Sequence, residues 1–433
     1  MKRILIIFII LFTAAVVAQV PERKSLQVTI YNQDLGVVKD VREIQLQKGV
    51  HELEFRDVAE KIDPTSVNIK IGADVLEQNY QYDLVDMGKI LRKYIDNEVT
   101  LTKEGRQITG TLLSIKNKNI VLRLENGTLF MLPDFDDYQI SVGELPEGLI
   151  TRPTLIWTLN SPSSKNDNVQ VSYMTKGISW EAKYVAVLNE DDTEMDLNSW
   201  VSIDNKSGAA YENADLKLIA GDVNLLDERG RYDGHLYYKT AAAQERQPQF
   251  EEKEFFEYHI YDLQRKTTIA NNEIKQISLF DTEEVSVDKK YEYAANEGNE
   301  KVNVIVEFKN SEENNLGMPF PEGKARVYKS DGESIEFIGE DWIDHTPRNE
   351  EISLKIGDAF DILGETKQLS QRKLTDYIHE GEFEVTITNR KREKITVDVN
   401  FSRWGNLEII KADKEYEKKD LNTAIFKVPA EAD

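Results

Sequence analysis

The chain of 433 residues contains no cysteine at all. That excludes disulfides, a thiol nucleophile, a thiolate zinc site and the lipidated cysteine of a lipoprotein, so stability has to come from burial. Histidine is scarce, with five in the whole chain. Positive charge is also in deficit: 54 lysines and arginines face 78 acids, a net charge of -24. Nucleic acid and anionic lipid surfaces both require a basic face, which argues against either as a partner. The acidic balance favours a solvated protein that meets cations or basic partners. Reaction motifs are missing as well. Gly332-Glu333-Ser334-Ile335-Glu336 lacks the last glycine of a nucleophile elbow, His51-Glu52 has Phe55 where a zincin needs its second histidine, and His379-Glu380 runs into Gly381. Asp191-Asp192-Thr193-Glu194 has the charge of a calcium loop without its turn glycine. No cofactor and no metal site is expected.

The one long apolar run is Ile4 to Ala18, preceded by Lys2 and Arg3, with Val16 and Ala18 suited to cleavage before Gln19. This is the pattern of a secretory signal peptide. Its length of about 15 apolar residues falls short of the roughly 20 that span a bilayer. A mature chain with no transmembrane anchor, periplasmic or extracellular in the cell envelope, is the expectation. Removing Lys2 and Arg3 takes the net charge from -24 to about -26. The remaining length, about 415 residues, suits two to four domains.

Period-two alternation dominates what remains, and long helical stripes are scarce. Leu26, Val28 and Ile30, then Leu53 and Phe55, then Ile352, Leu354 and Ile356 alternate with polar residues, as half-buried strands do. The fold class read from this is all-β: β-sandwich domains, a small SH3-like or Sm-like barrel, and few short helices. The barrel is the segment Met87 to Pro133. A short helix at Met87 to Tyr94 precedes four closely spaced strands, separated by turns at Lys103 to Arg106, Lys116 to Asn119 and Asn126-Gly127. Export and acidity disfavour RNA for it, leaving a spacer or protein-docking role. From Ile178 to Leu188 a sandwich core strand keeps Trp180, Ala182, Tyr184 and Ala186 on one face, and Val185 and Val187 bury the other. Phe383, Val385 and Ile387 face Ile395, Val397, Val399 and Phe401 across a charged turn, which reads as a hairpin. Between about Asp227 and Glu254 the chain is polar and reads as a surface loop. The expected organisation is a signal peptide at 1–18, an N-terminal β region at 19–84, the small barrel at 85–145, a first β-sandwich region at 146–226, a linker or long loop at 227–270 and a C-terminal β-sandwich region at 271–433.

Five ordered stretches carry a resemblance: "VTIYNQDLGVVKDVREIQLQKGVHELEFRDVAEKIDPTSVNI" from Val28, "YMTKGISWEAKYVAVL" from Tyr173, "WVSIDNKSGAAYENADLKLIAGDV" from Trp200, "FFEYHIYDL" from Phe255 and "FIGEDWIDHTPRNEEISLKIGDAFDILGE" from Phe337. Together they resemble the exported bacterial proteins carrying domain of unknown function 4139, a domain also found in proteins labelled mucoidy inhibitor. The resemblance implies a β-rich envelope protein and brings no catalytic residue set. The long coiled coil of mucoidy-inhibitor members is missing, so that label does not transfer. The family pattern also runs past a Val-Pro turn into one more strand, whereas this chain stops at "KVPAEAD", which predicts an open sheet edge.

The densest polar run is "FIGEDWIDHTP", Phe337 to Pro347. It holds Asp341, Trp342, Asp344 and His345. Flanked by strands, "GEDWIDHTP" reads as the connection between them, with Asp344 accepting hydrogen bonds from the connection's own backbone or from His345. Asp344 and His345 are the catalytic candidates should the protein be a carboxylate-dependent hydrolase of envelope polymer or peptide. Asp341 and Trp342 are binding candidates, as are His259 and Tyr261, which share one face of "EYHIY". A structural histidine bonded to a backbone carbonyl is the simpler reading of His259. Of the five tryptophans, Trp157, Trp180, Trp200 and Trp404 are expected in the core, and Trp342 at its edge or in solvent. The favoured reading is an exported, non-catalytic envelope protein that binds another envelope protein or a glycan.

Overall fold

A computed structural model describes residues 22–221, 223, 249–255, 258–296 and 298–433. The expected signal peptide at 1–18 and the polar stretch 227–248 lie outside the described residues. The rest is all-β, as the alternation predicts, with 28 strands, one seven-residue helix and two 3-10 turns among the described residues. Two compact units are present. One is made of residues up to Gln27 with Val38–Met174, the other of Val28–Val37 with Thr175–Asp433.

The first unit takes in the start of β1 (Glu22–Tyr31), then β2 (Gly36–Leu46), β3 (Gly49–Arg56), β4 (Asn68–Lys70), β5 (Asp74–Gln81), helix α1 (Met87–Lys93), β6 (Glu98–Lys103), β7 (Arg106–Lys116), β8 (Asn119–Arg123), β9 (Leu129–Leu132), β10 (Gln139–Ser141), β11 (Thr154–Ser161) and β12 (Lys165–Thr175). β11 lies between β3 and β5 in an antiparallel sheet. Alternation turns Leu53, Phe55, Leu155, Trp157 and Leu159 inward. Burying Trp157 requires a partner for its indole N–H, and Gln78 supplies one at 2.9 Å. Arg42 is buried too. Its charge is met by Asp40 at 2.7 Å, and its guanidinium lies 3.8 Å above the Phe55 ring.

Within this unit the expected small domain forms an antiparallel sheet in the order β10-β6-β7-β8-β9. The helix begins where Asp86 accepts the Lys89 N–H at 2.8 Å, an N-cap bond. All three turns fall where the sequence places them, with Glu104, Gly105, Asn117 and Gly127 in the left-handed region. Among the described residues no ladder joins β9 to β10, so the sheet is open and the SH3-like barrel does not close. The physical reason is length. Edge strands of four and three residues offer little to pair, and Leu91 of the helix and Phe135 cover the apolar face instead.

The second unit holds the end of β1 and then β13 (Ile178–Leu188), β14 (Glu194–Asn205), β15 (Tyr211–Ala220), β16 (Phe250–Phe255), β17 (Tyr258–Leu263), β18 (Thr267–Ile269), β19 (Glu273–Ser286), β20 (Asp288–Ala294), β21 (Lys301–Lys309), β22 (Gly323–Ser330), β23 (Ile335–Ile343), β24 (Glu351–Lys373), β25 (His379–Asn389), β26 (Ile395–Ser402), β27 (Tyr416–Lys418) and β28 (Thr423–Ala430). A five-stranded sheet runs β19-β14-β13-β22-β23, and a seven-stranded sheet runs β25-β24-β21-β20-β26-β28-β27. Their inner faces share one core, in which Tyr184, Leu197, Val327 and Ile343 of the first meet Val306, Phe308, Ile352 and Leu354 of the second. Val185 and Val187 point to the other face and are only half-buried.

Several expectations change here. The stretch 250–269, read as the end of a linker, forms β16, β17 and β18. β25 does not make a hairpin with β26. It pairs with β24, while β26 pairs with β20 and β28, so Phe383 and Phe401 meet across a core, ring centroids 5.2 Å apart. Two apolar strands cannot tell from sequence whether they meet edge to edge or face to face. The terminal "KVPA" belongs to β28, which lies between β26 and β27 rather than at an open edge. Trp200 and Trp404 are exposed rather than buried.

Candidate functional site

β23 runs on through Gly339 to Ile343, so most of "GEDWIDHTP" is strand, and the connection to β24 is only residues 344–350. That extension puts Asp341 beside β24. Its carboxylate accepts the Lys355 N–H at 2.6 Å and the Trp342 N–H at 2.9 Å. Asp341 therefore has the backbone-satisfying role expected of Asp344. Asp344 itself is exposed, and its backbone carbonyl accepts the Thr346 hydroxyl at 2.7 Å. The His345 ring accepts the Glu322 N–H through Nδ1 at 3.1 Å, which requires that nitrogen to be unprotonated. Beneath the connection lies Asn310, with no exposed surface. Its amide donates to the carbonyls of Met318 (2.8 Å) and Pro347 (3.0 Å), and its side-chain oxygen accepts the Gly317 N–H at 3.0 Å.

His259 and Tyr261 share a face of β17, as alternation requires. Antiparallel pairing sets Glu252 of β16 opposite Tyr261 and diagonal to His259. His259 Nδ1 lies 2.8 Å from Glu252 Oε1, and the Arg348 guanidinium donates to Glu252 Oε2 at 3.2 Å. His259 is thus held by a carboxylate rather than a backbone carbonyl. Burial opposes ionisation of Glu252, but the bond from His259 and the Arg348 charge outweigh it and hold the carboxyl below its ordinary value. Tyr261 is buried, its ring 6.0 Å from Trp180, and its hydroxyl donates to the Pro319 carbonyl at 2.9 Å. Tyr184 donates likewise to Pro321 at 2.6 Å and stacks on Phe320. Burial pushes both hydroxyls well above the usual tyrosine range, so they anchor the 317–321 loop as protonated donors. Among the sequence candidates, then, His259 and Tyr261 are brought together with the 344–350 connection through Glu252, Arg348 and the Phe320–Thr346 backbone pair.

Trp342 belongs to a different surface. On the outer face of the five-stranded sheet, register places Ser278, Trp200, Lys183, Lys324 and Trp342 in one row across β19, β14, β13, β22 and β23. The residues on either side of each along its strand point inward. Trp200 is 41% exposed and Trp342 45%. Lys324 Nζ lies 2.9 Å from Glu340, Arg326 is 3.6 Å from the same carboxylate, and Lys183 pairs with Glu181. On the same face Phe337, 56% exposed, packs edge-on against Tyr328 at 5.7 Å. Two indoles flanking hydrogen-bonding lysines form a surface able to stack on apolar ring faces while pairing with polar groups between them. The sequence reading missed this row because it put Trp200 in the core. The signal was present, since Leu197, Ser199, Val201 and Ile203 share the opposite parity. Glu252 and Arg348 were missed for a better reason: a strand pairing and an aperiodic connection bring them together.

Asp192, in the turn that resembles a calcium loop by charge, is occupied by lysines. Lys289 lies 2.6 Å from it, and Lys329 pairs with its other oxygen. Among the described residues no cluster of three or more metal-ligating side chains occurs, and no helix is long and apolar enough to cross a membrane. No protein-family model matches the chain, and no curated protein does.

Proposed function

We propose that this chain is an exported cell-envelope protein that binds another envelope component, protein or glycan, and catalyses no reaction. The observation that carries the reading is what the polar candidates other than the exposed Asp344 are bonded to. The Asp341 carboxylate is engaged by two backbone N–H groups, His345 Nδ1 by a third, and the Glu252 carboxylate by His259 and Arg348. Groups tied into backbone and ion-pair bonds hold a fold together; a general acid or base must be free to reach a substrate proton. The apolar run Ile4–Ala18 behind two basic residues and the motif resemblance support export.

The test is sedimentation of the purified chain with envelope material split into a protein-depleted glycan fraction and a glycan-depleted protein fraction. Saturable binding to one fraction, unchanged in a variant carrying both Asp344→Ala and His345→Ala, is expected. Hydrolysis of envelope polymer or peptide that disappears in that double variant would instead establish the hydrolase reading.

A further inference from the structure

We infer that β25 is an open sheet edge that takes up an extended peptide segment of a partner protein, one with lysine or arginine at every second position and apolar residues between. This rests on the binding function proposed above and deepens it by naming the partner's class and the strand that receives it.

β25 ends the seven-stranded sheet, and among the described residues β24 is the only strand paired with it. Its other flank therefore presents backbone N–H and C=O groups with no strand to meet them. The strand is eleven residues long and holds no proline, and the one irregularity of its ladder falls in β24, between Gln368 and Ser370. The usual devices that spoil an edge for pairing, a short strand, a proline or a bulge, are thus missing from β25 itself. The ribbon is also one strand short. β21 accompanies β24 only as far as Leu363, whereas β25 continues with it to Lys373. From Lys367 round the turn to His379 every residue is exposed, including Leu369, Leu374, Tyr377 and Ile378. A two-stranded ribbon buries too little surface to be stable in water by itself, and a third strand supplies what it lacks.

Alternation in β25 sets the occupant's chemistry. Phe383, Val385 and Ile387 point to the core side and stay only half-buried, while Glu380, Glu382 and Glu384 point to the other side. An added strand continues both rows, so its own residues alternate between apolar on the first side and basic on the second. The acids of the edge are not all neutralised from within. Arg372 pairs with Glu380, but Lys367, which stands opposite Glu384, is bonded to Glu365 instead. Glu382 stands opposite Ser370, and neither it nor Glu384 has an ion-pair partner among the described residues. The uncompensated acid therefore sits on the edge strand, where an incoming basic strand meets it. A second copy of this chain would bring the same acidic edge and a further net charge of -24, and like charges placed opposite each other destabilise a strand pair. A polysaccharide has no amide ladder to offer the edge.

The experiment is a binding titration of the full mature chain, read by fluorescence and by hydrogen exchange, with synthetic peptides as probes. One alternates lysine and valine, a second has the same composition in two blocks, and a third is the alternating peptide with every backbone nitrogen methylated, which cannot complete a ladder. The alternating peptide is expected to bind and to protect amides between Glu380 and Thr388, with the other two weaker by about tenfold or more. Glu382→Lys with Glu384→Lys should weaken its binding by about tenfold and admit an alternating glutamate-valine peptide in its place, a gain that also shows the variant to be folded. Equal binding of the block or methylated peptide, binding unmoved by the charge reversal, or binding without new protection in β25 overturns the inference. So does binding of no peptide while an envelope fraction retains the chain, an outcome that leaves the binding function standing. Retention by no envelope fraction would overturn that function too.

Discussion

Replacing Asn310 with alanine should cost the second unit far more than an ordinary polar-to-alanine change. Asn310 is fully buried, and its side chain serves three backbone groups: the Met318 and Pro347 carbonyls and the Gly317 N–H. Each buried group left unpaired costs about 1–3 kcal/mol. Met318 and Pro347 are only half-buried, so water can repay part of the loss and the lower figure applies to each. The sum is about 3 kcal/mol. At roughly 2–4 °C per kcal/mol for a unit of this size, the melting temperature should fall by about 6–12 °C. Calorimetry and urea titration followed by tryptophan fluorescence measure this, and hydrogen exchange at the Gly317, Phe320 and Thr346 amides should report local loosening first. Asn310→Asp should be worse, because it sets a carboxylate against two carbonyl oxygens. A loss under 1 kcal/mol, with those amides still protected, would refute the idea that this side chain ties the 317–321 loop to the 344–350 connection.

The remaining expectations concern other parts of the same unit and are independent of one another. At Gly323 an added Cβ would lie 2.2 Å from the Ala182 carbonyl oxygen, and at Gly339 2.1 Å from that of Ile356, both backbone atoms with nowhere to retreat. Alanine at either position should destabilise by about 1–3 kcal/mol in urea titrations. Glu252 is ionised below its ordinary 4.5 in the fold, so its stabilising contribution is present above that value and is lost as the pH drops through the folded one. Acid titration should therefore show a shallower loss of stability in Glu252→Gln, which also starts less stable at neutral pH. Because Lys289 and Lys329 already neutralise Asp192, calcium or a chelator should leave the melting temperature unchanged; a rise with calcium would show a cation site.

How much of this was legible in the sequence differs by element. Residues 99–132 displayed four strands with their turns because glycine and asparagine mark positions where a left-handed backbone is needed, a purely local requirement. The helix at Met87 was legible as a short run, and its Asp86 cap was seen only in the structure. The candidate residues of the Asp341–His345 run were legible as a cluster but misread as a connection. Nothing local says that β23 continues five residues further, because what extends it is its partner β22, from Gly323 to Val327. Trp200 was misread because hydrophobicity was weighed above parity.

The sequence by itself determined the all-β class, most strand positions and the alternation of each strand, since side chains of a strand point to opposite faces whatever it pairs with. Only the tertiary structure decided which strands are neighbours. That decision separated β25 from β26, joined Glu252 to His259 and Arg348, and drew Trp200, Lys183, Lys324 and Trp342 into one row. Those four residues span 160 positions in number from the first to the last, and register between strands so distant along the chain is fixed by packing on a shared core, not by any local preference.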